Sequence, residues 1–351
     1  MRVKIVFIVL ITVLGGCGIL GDNGNNYEEP DGWFTVLSDS LVSFNDDENF
    51  QELDVSNLFF LDENHGWVTG RLQRNGPDKA FAASTNDGGR NWKFNFIDNY
   101  TRAGDPFFFD MEKGIMAGNV IHRTSDGGSS WTHRMIQSGE PAVGVTTVKF
   151  QNQFIGWATG PFGAIAKTTD SGVTWNYLDL GYNEDRFESI SIVGNDVWIL
   201  GAIDPGRLIK TSDGGESWQN IPLPSRGEDD PLIRFDKVHF INKSNGWLVG
   251  SYRHIFHTAD GGNTWTLQYP QTDEQIDTDS IISINALDSL NVLALTSAGA
   301  ILSSKNGGQS WGIQVPKNNN SINTTIQFIS ENVAYAINGN RVFKTVTRGE
   351  K

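Results

Sequence analysis

The sequence predicts an all-β fold from three observations. An eight-residue phrase is repeated six times, seven pairs of mostly apolar residues recur with a similar period, and the 351 residues include 39 Gly and 11 Trp. The Trp residues that end successive phrases lie 39, 44, 43, 47 and 46 residues apart. A repeat period in the forties, with Gly-rich turns and Trp, is typical of four-stranded blades around the axis of a β-propeller. We therefore expect a seven-bladed β-propeller of four-stranded antiparallel blades.

The repeated phrase reads Thr-x-Asp-Gly-Gly-x-Ser/Thr-Trp in its clearest copies. A short Asp or Asn side chain bonds backbone N–H groups ahead of it, and the Gly pair permits the positive φ of a tight turn. The Trp begins the next strand and packs its indole over the turn. We assign structural roles to Asp87, Asp126, Asp170, Asp213, Asp260 and Asn306, and to Trp92, Trp131, Trp175, Trp218, Trp265 and Trp311. The phrase is identified as the Asp-box, or bacterial neuraminidase repeat.

The second series places a residue, usually apolar, seven positions before a large apolar one. Its first members should lie on the innermost strands and its second members on the next strands. The pairs are Phe60/Trp67, Phe108/Ile115, Phe150/Trp157, Ser191/Trp198, Phe240/Trp247, Ala286/Leu293 and Phe328/Tyr335. Six boxes leave the seventh blade without an outer strand, and Gly32–Leu37 copies the outer-strand openings. We predict that this N-terminal strand completes the last blade, so that residues 31–351 form one domain.

The N-terminus has the features of a secretory signal peptide over residues 1–16. A charged start precedes the apolar run Ile5–Leu14, which is too short to cross about 30 Å of hydrocarbon. The site resembles a bacterial lipobox, in which the Cys after the cut receives diacylglycerol, and Cys17 is the only cysteine in the chain. Residues 17–30 are rich in turn formers and suit a flexible tether. We expect export and lipid anchoring through Cys17 in the bacterial cell envelope, facing the periplasm or the surface.

Composition and motifs exclude several function classes. The 27 basic and 41 acidic side chains give a net charge of −14, and no basic run follows residue 4, so nucleic acid is not an expected partner. His254 and His257 lie three apart in a predicted strand and leave opposite faces, so they cannot share a metal. Phosphate-binding, dinucleotide-binding and nucleophile-elbow motifs are absent. We expect no metal, no cofactor and no intramolecular disulfide.

Strand order sorts the connections between strands onto two rims. The first-to-second and third-to-fourth connections share the Asp-box rim, and the others share what we call the loop rim. The loop-rim segments are 71–79, 97–105, 135–143, 179–187, 203–207, 222–234, 251–254 and 268–279. Function is usually placed in loops on a rigid scaffold, and Arg and Tyr dominate interface energetics. Our candidate partner-binding residues are Arg71, Arg74, Tyr100, Arg102, Tyr182, Arg186, Arg207, Arg226, Arg234, Tyr252 and Arg253. We interpret the acidic residues of the same rim as a solvated edge.

Among Asp-box propellers, the chain resembles the single-domain photosystem II assembly and stability factor-like family. The resemblance rests on units such as Phe150, Gly156–Gly160 and Thr168–Trp175, and it covers nearly the whole mature chain. It implies a non-enzymatic scaffold, here expected to be a monomer, that binds membrane-protein partners during assembly through an arginine-bearing face. The matching motifs are those that build blades, so they do not imply photosynthesis.

The alternative is a secreted glycan-binding protein or glycoside hydrolase, because sialidases and xyloglucanases use the same repeat. The sialidase family places a substrate-binding arginine in an Arg-Ile-Pro segment ahead of the first box. This chain has no arginine between Arg2 and Arg71 and no Arg-x-Pro anywhere. Xyloglucanase-type enzymes place substrate between two propellers, and this chain has the length for one. Paired rim carboxylates could serve hydrolysis only at a separation that the sequence does not give.

Overall fold

The computed structural model describes residues 8–9, 32–38, 50–97, 103–118, 120–134, 144–201, 206–224, 233–269, 279–316, 325–347 and 349. These residues form seven antiparallel sheets, six of four strands and one of five. Two strands precede the first blade, β1 (Ile8–Val9) and β2 (Phe34–Leu37). β1 pairs with the outer edge of blade 1 and falls within the predicted signal peptide. Cys17 and the predicted tether lie outside the described residues.

Blades 1 to 6 each take four strands in chain order from the inside outward. Blade 1 has β3 (Phe50–Phe60), β4 (Gly66–Arg74), β5 (Lys79–Thr85) and β6 (Trp92–Ile97); blade 2 has β7 (Pro106–Phe108), β8 (Gly114–Met116), β9 (Ile121–Thr124) and β10 (Thr132–Arg134). Blade 3 has β11 (Thr147–Phe150), β12 (Gly156–Thr159), β13 (Ile165–Thr168) and β14 (Asn176–Tyr177); blade 4 has β15 (Phe187–Val193), β16 (Asp196–Gly201), β17 (Arg207–Thr211) and β18 (Gln219–Ile221).

Blade 5 has β19 (Phe235–Phe240), β20 (Gly246–Gly250), β21 (Ile255–Thr258) and β22 (Thr266–Tyr269), with a 3-10 turn at Ser251–Arg253. Blade 6 has β23 (Ile281–Ala286), β24 (Val292–Thr296), β25 (Ile301–Ser304) and β26 (Gly312–Val315). Blade 7 has β27 (Ile326–Phe328), β28 (Ala334–Asn338) and β29 (Arg341–Thr345), completed by β2. The first strands of successive blades contact one another, and β27 contacts β3. The predicted seven-bladed ring is therefore confirmed.

The ring is closed by the N-terminal strand, as predicted. β2 pairs with β29 in the register Phe34 to Lys344 and Thr35 to Phe343. The closure also contains a seventh, split Asp-box that the sequence did not reveal. The Thr345 hydroxyl accepts the N–H groups of Thr347 (3.2 Å) and Gly349 (2.6 Å), and the indole N–H of Trp33 donates to Gln314 (3.1 Å). The turn of this box comes from one end of the chain and its Trp from the other.

The six continuous Asp-boxes share one hydrogen-bond pattern, which the box of blade 3 illustrates. The Thr168 hydroxyl donates to Asp170 Oδ1 (2.8 Å) and accepts the Gly172 N–H (2.9 Å), while Asp170 Oδ1 accepts the Thr174 N–H (2.9 Å). In the box of blade 5, the bond from the Thr264 hydroxyl, with further bonds from backbone N–H groups and Thr258, lowers the pKa of Asp260 to about 2. The box carboxylates are therefore engaged in holding the turn.

The hydrophobic core lies between the blades, where aromatic rings of neighbouring sheets stack. Trp67 of blade 1 stacks on Phe108 of blade 2, with ring centroids 3.6 Å apart, and Tyr335 of blade 7 stacks on Phe60 of blade 1 at 3.5 Å. The box Trp residues then meet the inner aromatics edge-on, as Trp131 does with Phe108 at 6.0 Å. Stacking and edge contacts of this kind stabilise a core beyond the area they bury.

Blade 4 differs from blade 1 in the register of its pair. Ser191 lies directly opposite Trp198 on the next strand, whereas in blade 1 the residue opposite Trp67 is Phe59, and Phe60 lies opposite Gly66. Ser191 therefore occupies the Phe59 position, and Ile192 replaces the inner Phe. The reason is a shorter hairpin, in which Val193 pairs directly with Asp196. The two residues lie on the strands expected, but the seven-residue spacing does not mark equivalent positions in this blade.

Side chains at the Phe59 position join each inner strand to the next. In blade 7, the amide of Gln327 accepts the Phe60 N–H (2.9 Å) and donates to the Phe60 carbonyl (3.0 Å). In blade 6, Asn285 Oδ1 accepts the Phe328 N–H (2.9 Å). Around blades 1 to 3 the join is aromatic instead. The Phe107 ring lies 5.2 Å from Phe59 and 5.1 Å from Phe150, which is at the Phe60 position of blade 3. These contacts hold the hairpin ends of the inner strands, near the Asp-box rim, in fixed relation.

Candidate functional site

The structure places the hairpin turns and the Asp-boxes on the same rim. The N–H of Gly88 in the first box donates to the carbonyl of Asn64 in the turn between β3 and β4 (2.9 Å). The second, fifth and sixth boxes make the corresponding bond, and the third makes it from Ser171 to Phe154 (3.0 Å). The loop rim is therefore the opposite one, where the inner strands begin.

Two of the predicted arginines form an ion-pair array at the loop rim of blades 4 and 5. Arg186 Nε lies 2.5 Å from Glu188 Oε1, and Arg234 Nε lies 3.1 Å from Asp236 Oδ1. Arg234 Nη2 also lies 3.7 Å from Glu188 Oε2 and joins the two pairs. The strand ladder shifts at Glu188 and at Asp236, so a β-bulge aims each carboxylate back toward its arginine.

The arginines of the array are open to a partner, whereas its carboxylates are not. The side chains of Arg186 and Arg234 are 55% and 61% exposed, against 26% for Glu188 and 16% for Asp236. Burial raises the pKa of Asp236 to about 6; the charge of Glu188 adds to this effect and Arg234 opposes it. The array presents guanidinium groups to solvent, and its net charge becomes more positive as Asp236 takes up a proton.

A second cluster in blade 4 joins Tyr182, Asp185 and Arg207. Arg207 Nε lies 2.8 Å from Asp185 Oδ2, and its guanidinium carbon lies 4.2 Å from the centre of the Tyr182 ring. The ion pair and the cation–π contact hold the guanidinium over the ring. Arg207 and Tyr182 are half-buried, so this cluster positions the loop before β15 and borders the array.

The remaining candidates do not join one surface. Arg253 Nη2 lies 3.1 Å from Asp279 Oδ2, and the two side chains are only 15% and 4% exposed, which places Arg253 in the wall between blades 5 and 6. Tyr252 lies in the turn before β21, next to Arg253. Arg71 is held between Asp54 (2.9 Å) and Asp78 (3.3 Å) in blade 1, where Arg74 ends β4. Tyr100, Arg102 and Arg226 lie outside the described residues.

Sequence reasoning missed the polar residues on the inner strands. Lys149 Nζ lies 3.9 Å from Asp105 Oδ2, and burial lowers the pKa of Lys237, with the charge of Lys149 adding to the effect. Burial also lowers the pKa of His239 to about 4, so this side chain is neutral at pH 7. Reasoning from the sequence also missed Phe162, which is 72% exposed in the turn between β12 and β13. The signal available was the short Gly-Pro-Phe-Gly turn at residues 160–163.

The site presents charged hydrogen-bond donors to solvent. Within the described part of the chain, no group of three His, Cys, Asp or Glu side chains is arranged to hold a metal ion. The same residues contain no helix long and apolar enough to span a membrane. A guanidinium group has five N–H donors, more than the ion pairs of the array use, so exposed guanidinium groups can donate to carboxylates of a partner in fork geometry.

Comparison with known proteins gives a family match. Residues 140–234 and 226–350, together more than half of the chain, match the family described as photosynthesis system II assembly factor YCF48. The photosystem II assembly lipoprotein Ycf48 of Synechococcus sp. (strain CC9902) is 31% identical over 121 residues, which are 34% of this chain and 34% of that protein. The chain thus spans about a third of the length of this relative.

Solved structures show the likeness of fold. The structure described as YCF48 bound to D1 peptide has a TM-score of 0.67 at 18% identity, covering 92% of this chain and 96% of that one. A family 74 xyloglucanase of Xanthomonas campestris has a TM-score of 0.54 at 13% identity, covering 88% and 60%. At such identities the likeness concerns the propeller and not the site.

Proposed function

Since the chain belongs to the family of the photosystem II assembly factor Ycf48, we propose that it is a non-catalytic scaffold. We propose that this scaffold binds a protein partner through the loop rim of blades 4 and 5. The observation that carries this proposal is the array of Arg186, Glu188, Arg234 and Asp236, whose two guanidinium groups are more than half exposed. The partner segment is acidic, because exposed guanidinium groups with unused donors favour carboxylates.

We also propose that the protein is anchored through lipid on Cys17 in the cell envelope. The Synechococcus relative is described as a lipoprotein, which supports this anchor. β2 runs from the Asp-box rim toward the loop rim, because Phe34 pairs with Lys344 near the closing box and Leu37 with Val342 further along. The chain therefore enters the propeller at the Asp-box rim, at Gly32. The arginine array lies on the opposite rim, so this point of entry leaves the array accessible to a partner.

The partner we propose is a segment of a membrane-associated protein. The D1 peptide is bound in a structure of a family member, which supports peptide binding as the activity of this propeller. An exposed ion pair contributes about 0–1 kcal/mol, so the array has to act through several guanidinium contacts rather than one. This explains why neither arginine is expected to carry binding alone.

The test is crosslinking and mass spectrometry of the tagged protein in its native membrane, with Arg186→Glu and Arg234→Glu introduced together. We expect a membrane-protein partner to be captured by the wild type and lost in the double variant, because two attractive charges become repulsive. The matched control is Arg90→Glu with Lys113→Glu, which makes the same charge change at exposed positions of the Asp-box rim. Equal capture by both double variants, or no partner with the wild type, contradicts the proposal.

A further inference from the structure

We infer that Phe162 is an apolar anchor for the partner, seated beside Arg186, and that the partner segment carries an apolar side chain two residues from a carboxylate. The inference deepens the proposed function and rests on it. It assigns a second kind of contact to the loop rim, since the arginine array supplies only electrostatic attraction.

Phe162 is displayed in a way that the fold does not require. Its side chain is 72% exposed, the largest exposed fraction among the large apolar side chains of the described residues. Its φ is +57°, in the left-handed region, where a bulky residue with a Cβ has a higher conformational energy than glycine. Backbone strain at an exposed apolar residue has no folding benefit, and such strain concentrates at binding sites.

The turn that strains Phe162 also fixes its position. The Ala164 N–H donates to the Pro161 carbonyl (3.2 Å), which closes a tight turn with Phe162 and Gly163 at its centre. Both central residues have positive φ, as a type I′ turn requires. Glycine occupies only the second of these positions, so the chain keeps an aromatic side chain where glycine or asparagine would be favoured.

Two backbone hydrogen bonds place this turn against Arg186. The Gly163 N–H donates to the Asp185 carbonyl (2.7 Å), and the Phe187 N–H donates to the Gly160 carbonyl (3.0 Å). Phe162 lies between Gly160 and Gly163 on one side of this contact, and Arg186 lies between Asp185 and Phe187 on the other. The turn of blade 3 and the entry to blade 4 therefore bring the backbones of Phe162 and Arg186 side by side, and both side chains are exposed.

The geometry determines the chemistry of the partner. An extended peptide presents alternate side chains on one face, about 6.5 Å apart for residues i and i+2. A carboxylate at one of these positions would reach the terminal amino groups of Arg186, whose Nε is already bonded to Glu188. An apolar side chain at the other would cover the Phe162 ring and remove its apolar area from water. Blade 5 offers a comparable turn at Tyr252, where φ is also positive, but with a tyrosine that is less exposed.

The experiment is selection of a displayed library of random linear peptides on the purified full-length protein, followed by affinity measurements with the enriched peptide. We expect enrichment of Asp or Glu two residues from Leu, Ile, Met or Phe. Phe162→Asn removes the ring while keeping a residue that tolerates positive φ. It should weaken binding of the enriched peptide roughly tenfold or more, as truncation of an aromatic anchor does. Its melting temperature should equal or exceed that of the wild type.

The matched control is Phe154→Asn, which removes a ring that is 54% exposed on the Asp-box rim. It should leave peptide affinity unchanged. Unchanged affinity in Phe162→Asn, an enriched motif without the apolar position, or no enriched peptide overturns the inference. If Arg186→Glu with Arg234→Glu abolishes binding while Phe162→Asn does not, the inference fails and the proposed function stands. If neither variant weakens binding, both fail.

Discussion

Thr345→Val tests whether the two ends of the chain form a working Asp-box. The Thr345 side chain is fully buried, and its hydroxyl accepts the N–H groups of Thr347 and Gly349. Valine has the same shape but no acceptor, so the substitution removes both bonds without leaving a cavity. Each such bond contributes roughly 0.5–1.5 kcal/mol net, which predicts a loss of about 1–3 kcal/mol in the free energy of unfolding.

The matched control is Thr168→Val in the continuous box of blade 3. The Thr168 hydroxyl is equally buried and accepts two N–H groups, but it also donates to the Asp170 carboxylate at 2.8 Å. A bond to a charged group contributes about 1.5–3 kcal/mol, so the control should lose more stability than Thr345→Val. The assay is urea unfolding followed by Trp fluorescence, with an unchanged slope as evidence of a common transition. A loss under about 0.5 kcal/mol for Thr345→Val, the range of ordinary surface substitutions, would refute the split box.

Two further predictions concern the array and the inner strands. The pKa of Asp236 in the folded protein is raised from 3.8 to about 6, so the wild type should gain stability as the pH falls from about 7 to about 4. Asp236→Asn should lose much of this pH dependence and should be more stable than the wild type by about 1–2 kcal/mol near pH 7.5. Urea unfolding near pH 4 and near pH 7.5 measures both effects, and a variant less stable than the wild type near pH 7.5 would contradict burial as the cause of the raised pKa. A Cβ at Gly156 would lie 2.4 Å from the Phe150 ring, so Gly156→Ala should lower the free energy of unfolding by about 1–3 kcal/mol. Gly312 has open space around it, so the control Gly312→Ala should change the thermal unfolding midpoint little. Equal midpoints for the two variants would count against the packing argument.

The fold was predictable because each Asp-box folds by local chemistry. Thr168, Asp170 and Gly172 bond one another within five residues, so the sequence phrase and the structural turn coincide. The closing strand was predictable for the same reason, since Gly32 and Trp33 copy the end of a box. The split box was not, because Thr345 and Gly349 keep the bonding groups while the Asp is replaced and the Trp is more than 300 residues away in the sequence. Only the closed ring brings them together.

The candidate site was predictable only in part. Strand order placed Arg186 and Arg234 on the loop rim, but the bulges that turn Glu188 and Asp236 toward them leave no mark in the sequence. Arg253 satisfied the same rule but is largely covered where it pairs with the buried Asp279, because exposure depends on the neighbouring blade as well as on the loop. Phe162 escaped notice since a four-residue turn is too short to stand out, and its positive φ is a property of the backbone.

The two rims differ in how freely their sequences can change, which argues for the loop rim as the binding surface. On the Asp-box rim, a backbone N–H of the box bonds the carbonyl of the neighbouring hairpin turn, as Gly261 does with Ser244 at 2.9 Å. Blade 4 is the exception, because its shortened hairpin makes no such bond among the described residues. The Lys167 side chain of blade 3 donates to the carbonyl of Gly214 in this box instead (2.7 Å). A substitution on that rim disturbs two turns together. On the loop rim, backbone N–H groups before an inner strand bond the carbonyl of an equivalent glycine in the preceding blade, as Val145 does with Gly118 (3.1 Å) and Phe187 with Gly160 (3.0 Å). These bonds use the backbone, so the side chains of the arginines and of Phe162 can be fitted to a partner while the blades stay unchanged.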